Sequence, residues 1–300
     1  MMNTPLAGPF GANGQLSSGI GMNASVGYGN YNALFVTIKT QSWHGVTAQS
    51  NFTWSKSLGT GAEVQATSAA TPPDPFNLRN GYGYQDFDRR FIYNLFFVYQ
   101  PNYYKSQSGF VGHVLGGWTI APVFTAGSGL PLTLGTINGG GQAFGEGDSS
   151  NFFGYGGSEN AIPITPSMCA GNASAHYNAV PVGGGTPGLN LFSNPTAAYN
   201  NIRQPILGYD THDGGIGVCR GMPYWNVDLS VKKQFNITER VNAQFQVVFT
   251  NVFNHNQLGD PSGEYLDTSN PAGFGSLPGS VTYGNSTFNR QIQFGLRLSF

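Results

Sequence analysis

Two cysteines, five histidines and a few dense charge clusters are the groups of this chain with chemistry to offer. Cys169 and Cys219 are its only cysteines and fall in one long polar segment, 135–222. Two readings stay open for them: a disulfide tethering a loop of about 50 residues, worth a few kcal/mol in an oxidising compartment, or two unrelated thiols. The disulfide is the expectation, because two cysteines in one exported loop have few other uses. In YDTHDGG (209–215), Asp210, His212 and Asp213 offer two carboxylates and an imidazole within four residues. The segment lacks both EF-hand spacing and a second His at i+4, so a solvated acidic turn is expected rather than a metal site. His44, His113, His176 and His255 are scattered through turns and loops and make no zinc pattern.

Nucleotide chemistry is tested by register. GIGVCR (215–220) puts Arg220 where the third glycine of a dinucleotide fingerprint belongs, and no glycine cluster leads into Lys-Ser or Lys-Thr. No Gly-x-Ser-x-Gly elbow occurs either. No cofactor, no metal and no enzymatic activity are expected. Net charge is -1 with pI near 6.5, which leaves no field to steer nucleic acid. Asp86, Asp88, Arg89 and Arg90 form a charged knot. It reads either as a ligand contact or, preferably, as a salt-bridge latch where a loop becomes a strand.

Composition points to the elements that would carry these groups. Charged residues are 9% of the chain, against about 25% in soluble domains. The 44 Gly, 18 Pro and 41 aromatic residues favour turns and strands over long helices. No run approaches about 18 apolar residues, so a transmembrane helix is excluded. The start, MMNTPLAGPFGANGQ, lacks the basic opening and apolar core of a secretory signal, and an exported protein is not expected to have this chain as its precursor.

The strongest signal is alternation with period two, which sends successive side chains to opposite faces of a strand. Val46, Ala48, Ser50, Phe52 and Trp54 alternate with Thr47, Gln49, Asn51, Thr53 and Ser55. Trp225, Val227, Leu229 and Val231 alternate with Asn226, Asp228, Ser230 and Lys232. Val241 to Thr250 repeats the pattern with one lapse at Val248, and Gln291 to Phe300 repeats it with none. Three less regular strands span 31–39, 90–100 and 114–125, the last extended through 130–134, which makes seven. Residues 15–26 alternate well enough for an eighth, although their Gly and Ser content marks a loop.

The connections alternate short and long. Residues 41–45 and 235–239 are tight turns and 101–113 is intermediate; 58–89, 135–222 and 254–289 are long. A sandwich has no reason to gather every long loop at one end, whereas a transmembrane barrel has short periplasmic turns and long extracellular loops. Strands of about 9–11 residues suit a tilted bilayer crossing. The long loops carry twelve acids against four arginines, a balance of -8, while the rest of the chain carries nine basic residues against two acids, or +7.

Lys39, Arg90, Lys232 and Arg297 share parity with the polar faces and are expected in a lumen. They could line a path for an anionic solute, but pairing with neighbours or a plug is the ordinary condition of such walls. Trp54, Phe91, Trp225 and Phe253 should form an outer aromatic girdle, and Tyr99, Phe235 and Phe300 an inner one.

These segments resemble the barrel of Oar-like TonB-dependent outer-membrane receptors. NYNALFVTIKT with GVTAQSNFTWSKSL (30–58), DPFNLRNGYGYQDFDRRFIYNLFFVY (74–99) and GGWTIAPVFTAGSGLPLTL (116–134) are similar to family strands. So are 223–261 and RQIQFGLRLSF (290–300), the last ending in a Phe of the kind that barrel-assembly machinery recognises. The resemblance implies that a signal peptide, a TonB-contacting segment, a plug and further strands of a barrel of about 22 belong to the intact protein. By this resemblance the chain looks like its C-terminal third. Implied partners are outer-membrane lipid, the missing strands and plug, TonB through that plug, and an unidentified ligand, but no nucleic acid.

The expected fold is therefore all-β, an antiparallel up-and-down transmembrane β-barrel portion of about 7–8 strands with long extracellular loops. Residues 1–29 are a Gly/Ser-rich segment read as loop, and 30–300 are barrel with a long loop at 135–222. The expected place is the bacterial outer membrane. An open edge in lipid leaves about ten backbone groups unsatisfied at several kcal/mol each, so seven strands alone are a poor membrane object. The alternative is a secreted or surface-attached β-rich binding or adhesive module whose apolar faces pack sheet on sheet.

Overall fold

A computed structural model describes residues 25–60, 78–136, 159–165, 168, 173–178, 187–203, 216–238, 240–261, 266, 271–277, 282–283, 286–287 and 289–300. Its frame is one antiparallel sheet of long strands: β1 (Gly29–Trp43), β2 (Val46–Gly59), β3 (Phe91–Tyr99), β4 (Trp118–Gly127), β5 (Tyr224–Asn236), β6 (Asn242–Thr250) and β7 (Gln291–Ser299). Each pairs with the next in chain order, so the sheet is an up-and-down meander. The first and last strands have one partner each among the described residues, and closure is not seen there. The alternating segment 15–26 lies almost wholly outside the described residues.

Short turns gather at one end of the sheet. Between β1 and β2 the register Trp43↔Val46 leaves a two-residue loop in which His44 (φ 50°) and Gly45 (φ 84°) are both left-handed. That is the primed turn whose twist matches paired strands. A side chain at Gly45 would also run into the Gln100 carbonyl. β5 and β6 are joined by 237–241, where the Ile237 and Thr238 amides both donate to the Val241 carbonyl.

The remaining connection at this end corrects the expected strand at 114–125. Gly109–Leu115 is a helix, α1, and β4 begins only at Trp118. The run GFVGHVL is apolar on both parities, so its hydrophobicity merged with the strand pattern that follows it. The proposed extension through 130–134 is also interrupted: β4 stops at Gly127, and Pro131–Leu132 pairs instead with Cys219–Arg220.

The long connections meet at the opposite end. β2 runs on past the start of β3 from Ser55 to Gly59, still paired with Gly29–Ala33 of β1, and this extension is covered by 83–88: Gly83–Tyr84 pairs with β2, and Ser55 and Ser57 are buried. At about 3.4 Å per residue these five positions add roughly 17 Å. The buried apolar core lies at this end too. Leu132, Leu134, Ala161, Leu191, Phe192, Ala198, Cys219, Leu266 and Phe274 all belong to connections and none to the long strands. Phe192 stacks on Phe274 with centroids 5.5 Å apart, and Tyr199 meets Phe274 edge-on.

The sheet inverts the usual arrangement. Val36, Ile38, Phe245, Ile292, Phe294, Leu296 and Leu298 are exposed, and the other sheets of the described residues are ladders of two or three residues, too small to cover them. An apolar face this broad calls for a non-aqueous surrounding.

Candidate functional site

Directly opposed residues of an antiparallel pair share a face, so the registers assign both surfaces of the sheet. One face carries Thr37, Lys39, Gln49, Asn51, Asn94, Thr125, Asn226, Asp228, Ser230, Lys232, Gln244, Gln246, Gln293 and Arg297. Neighbours on it are linked. Asn51 Oδ1 accepts from Thr37 Oγ1 (3.1 Å) and Gln49 Nε2 (3.0 Å), Gln246 Nε2 donates to Ser230 Oγ (3.3 Å), and Asp228 Oδ1 accepts from Asn226 Nδ2 and the Asn251 amide (both 2.8 Å).

Lys39, Lys232 and Arg297 stand on this face, each in the half of its strand nearest the short turns. Arg90 continues the β2–β3 register at the long-loop end, where its carbonyl accepts from the Ser55 amide. None of the four has an ion-pair partner among the described residues. Phe35, Ile92, Phe96, Val98, Val123 and Val248 interrupt this face, and the result is a mostly amide- and hydroxyl-lined wall with three cations toward the short-turn rim and Arg90 at the other, suited to hydrogen-bonding polar solutes and attracting anions.

The long-loop end holds the charged latch, differently paired from what sequence adjacency suggested. Asp88, 1% exposed, does not rest on its neighbours Arg89 and Arg90. Its Oδ2 meets Arg220 Nη2 at 2.5 Å across 132 residues of chain, and its Oδ1 accepts from the Ser57 amide at 2.5 Å. Arg220 also lies over the Tyr84 ring, 4.6 Å from its centroid. Arg89 turns to the Ser128 carbonyl (2.6 Å) and the Tyr224 ring. Asp260 is packed against Gly221, where any side chain would collide with its carboxylate, and accepts from the Met222 amide at 2.5 Å. Burial raises its carboxyl above the ordinary range, while the Met222 amide and then Arg89 pull it down.

Cys219, buried beside Leu132 and adjoining Arg220, is disulfide-bonded. Cys169 lies outside the described residues, as do Asp210, His212 and Asp213. Among the described residues no three His, Cys, Asp or Glu gather as a cation site.

A protein-family model described as an outer membrane beta barrel domain matches residues 3–293. The chain belongs to that family. No curated protein and no solved structure matches it. The barrel domain resides in the bacterial outer membrane, so its exposed apolar face is the lipid face, its long loops are extracellular and its short turns periplasmic.

The aromatic residues are placed accordingly. Trp54 and Phe91 are a register pair on the lipid face at the extracellular end of β3. Trp225 stacks on His255 at 4.0 Å and approaches Phe253 at 6.3 Å. Tyr99 and Phe235 are on the same face toward the periplasmic turns, and Phe300 ends the chain fully exposed. Trp43 and Trp118 join them at that end without having been singled out, since each sits just outside a regular run of alternation.

Lys233 is the residue that sequence reasoning missed. It opposes Trp118 on the lipid face, one step from lumenal Lys232, yet it is only 4% exposed. Its Nζ donates to the carbonyls of His113 (2.6 Å), Val114 (3.1 Å) and Gly116, the last turn of α1, and lies over the Trp118 and Phe235 rings. The signal available was the Lys-Lys pair itself, because a pleated strand must send one of two adjacent lysines toward lipid.

Proposed function

We propose that this barrel domain is the C-terminal portion of a TonB-dependent outer-membrane receptor of the Oar-like type. It takes part in ligand binding and uptake together with the remaining strands and the plug of the intact protein, and it catalyses no reaction. TonB is reached through the plug, and outer-membrane lipid is the other partner. The observation that carries this reading is the open meander, in which β1 and β7 each keep one long backbone edge without a partner among the described residues. Lipid cannot satisfy such edges, so further strands of the same barrel are the natural complement. The polar wall and extracellular cap suit a solute path and a surface that meets ligand first.

Reading the genomic frame upstream of Met1 tests the proposal. An open frame continuing into further strands, a plug and a signal peptide is the expected result. A stop codon immediately upstream, followed by a ribosome-binding site and Met1 as the start, overturns it.

A further inference from the structure

The geometry points to a membrane-interface anchor at the periplasmic end: we propose that α1 lies in the inner phospholipid leaflet of the outer membrane, with Phe110, Val111, Val114 and Leu115 embedded among the lipids. The anchor requires only that the chain be an outer-membrane barrel, not that it be a receptor.

Three observations support it. First, α1 is two-sided. Positions 110, 111, 114 and 115 fall on one helical face, spaced i, i+1, i+4 and i+5, and all four are exposed, Phe110 by 84%. Gly112, on another face, is buried against Gln107, where a side chain would press on its backbone. Such a short helix with its apolar half outward has the form of an interfacial segment.

Second, the helix is held at the lipid side of the barrel. Lys233 and Trp118 are opposed on the lipid-facing parity, and both bond to the last turn of α1, Trp118 Nε1 donating to the Val114 carbonyl at 2.8 Å. Gln107, buried just before the helix, donates to the Gln234 carbonyl (2.7 Å) and accepts from the Asn236 amide (3.1 Å). The apolar face of α1 thus continues the lipid face of β4 and β5. The same contacts account for Lys233, whose ammonium would be costly in lipid but is sheathed by helix carbonyls.

Third, the flanking residues suit headgroups. Tyr103, Tyr104 and Lys105 are exposed just ahead of the helix. Tyr rings favour the membrane–water boundary, and Lys favours anionic phospholipid.

The test places a nitroxide on Phe110→Cys, and separately on Val111→Cys, in the intact protein reconstituted in vesicles of phosphatidylethanolamine and phosphatidylglycerol. The control is the exposed extracellular Tyr177→Cys. Relaxation by oxygen relative to a water-soluble nickel chelate is expected to be several-fold higher at both α1 positions than at Tyr177→Cys. Equal accessibility of all three to the nickel chelate overturns the proposal. Protection accompanied by spin–spin coupling that vanishes on dilution with unlabelled protein also overturns it, since a second copy would then be the occupant.

Discussion

Arg220 and Asp88 show how little freedom a buried charge has. Arg220→Ala leaves a carboxylate that is 1% exposed without its counter-ion, and loss of one partner of a buried pair costs about 3–5 kcal/mol. The extracellular cap of the variant is expected to become protease-sensitive while the sheet stays assembled. The double variant Arg220→Met with Asp88→Asn should recover most of the loss, and a double variant as sensitive as the single would mean that the pair is not what holds the cap. Asp260 makes a pH-dependent contribution of the opposite kind. Its carboxyl is raised by burial, so the folded cap prefers the protonated form. The cost of burying the charge is absent below the ordinary carboxylate pKa of about 3.9 and complete above the raised value. Cap stability should therefore fall as pH rises through that window. Asp260→Asn keeps an oxygen for the Met222 amide and should flatten the profile, as proteolysis rates across acidic pH would show; an unchanged slope would assign the pH dependence to another group.

Within the elements, the strands were legible because a half-lipid, half-aqueous sheet writes its two faces into alternate residues. Trp225 to Lys232 and Gln291 to Phe300 announce both face and strand. The helix was not legible, since seven residues of GFVGHVL hold too few turns to establish a 3.6-residue period beside an apolar strand. The latch was legible as a charged knot but its pairing was not, because Asp88 and Arg220 meet only after 132 residues of chain have folded back, and nearby Arg89 and Arg90 were the more obvious partners. The turn between β1 and β2 gives a sharp element-level prediction. Gly45→Ala must hold a left-handed residue, at about 1–2 kcal/mol, against the Gln100 carbonyl, so the hairpin should unfold at lower urea in lipid vesicles. Trp54→Ser and Trp225→Ser should each weaken membrane insertion by about 1–3 kcal/mol, read from the same urea midpoint. Unchanged midpoints for both would detach the aromatic pairs from the membrane boundary.

Across the whole molecule, two solvents stabilise two parts. The sheet exposes apolar side chains suited to lipid, and the cap buries a core away from water. Reduction of the Cys219 disulfide should therefore act on the cap alone: loop cleavage speeds up, consistent with the loss of a few kcal/mol, while the urea midpoint of the sheet is unmoved. A sheet that loosens in parallel would show one cooperative unit instead. The cap's composition also makes its closure depend on the last strands. Leu132 and Leu134 precede β5, Cys219 immediately precedes it, and Leu266 and Phe274 arrive only after β6. Since those two strands form a hairpin whose turn stays in the periplasm, the last core residues cannot reach the cell surface until β6 has crossed. Stacking of Phe274 on Phe192 is then a molecular receipt for translocation of the β6–β7 connection: a barrel in which that connection has not crossed would display an unsealed cap to the outside, where surface proteases could clear it.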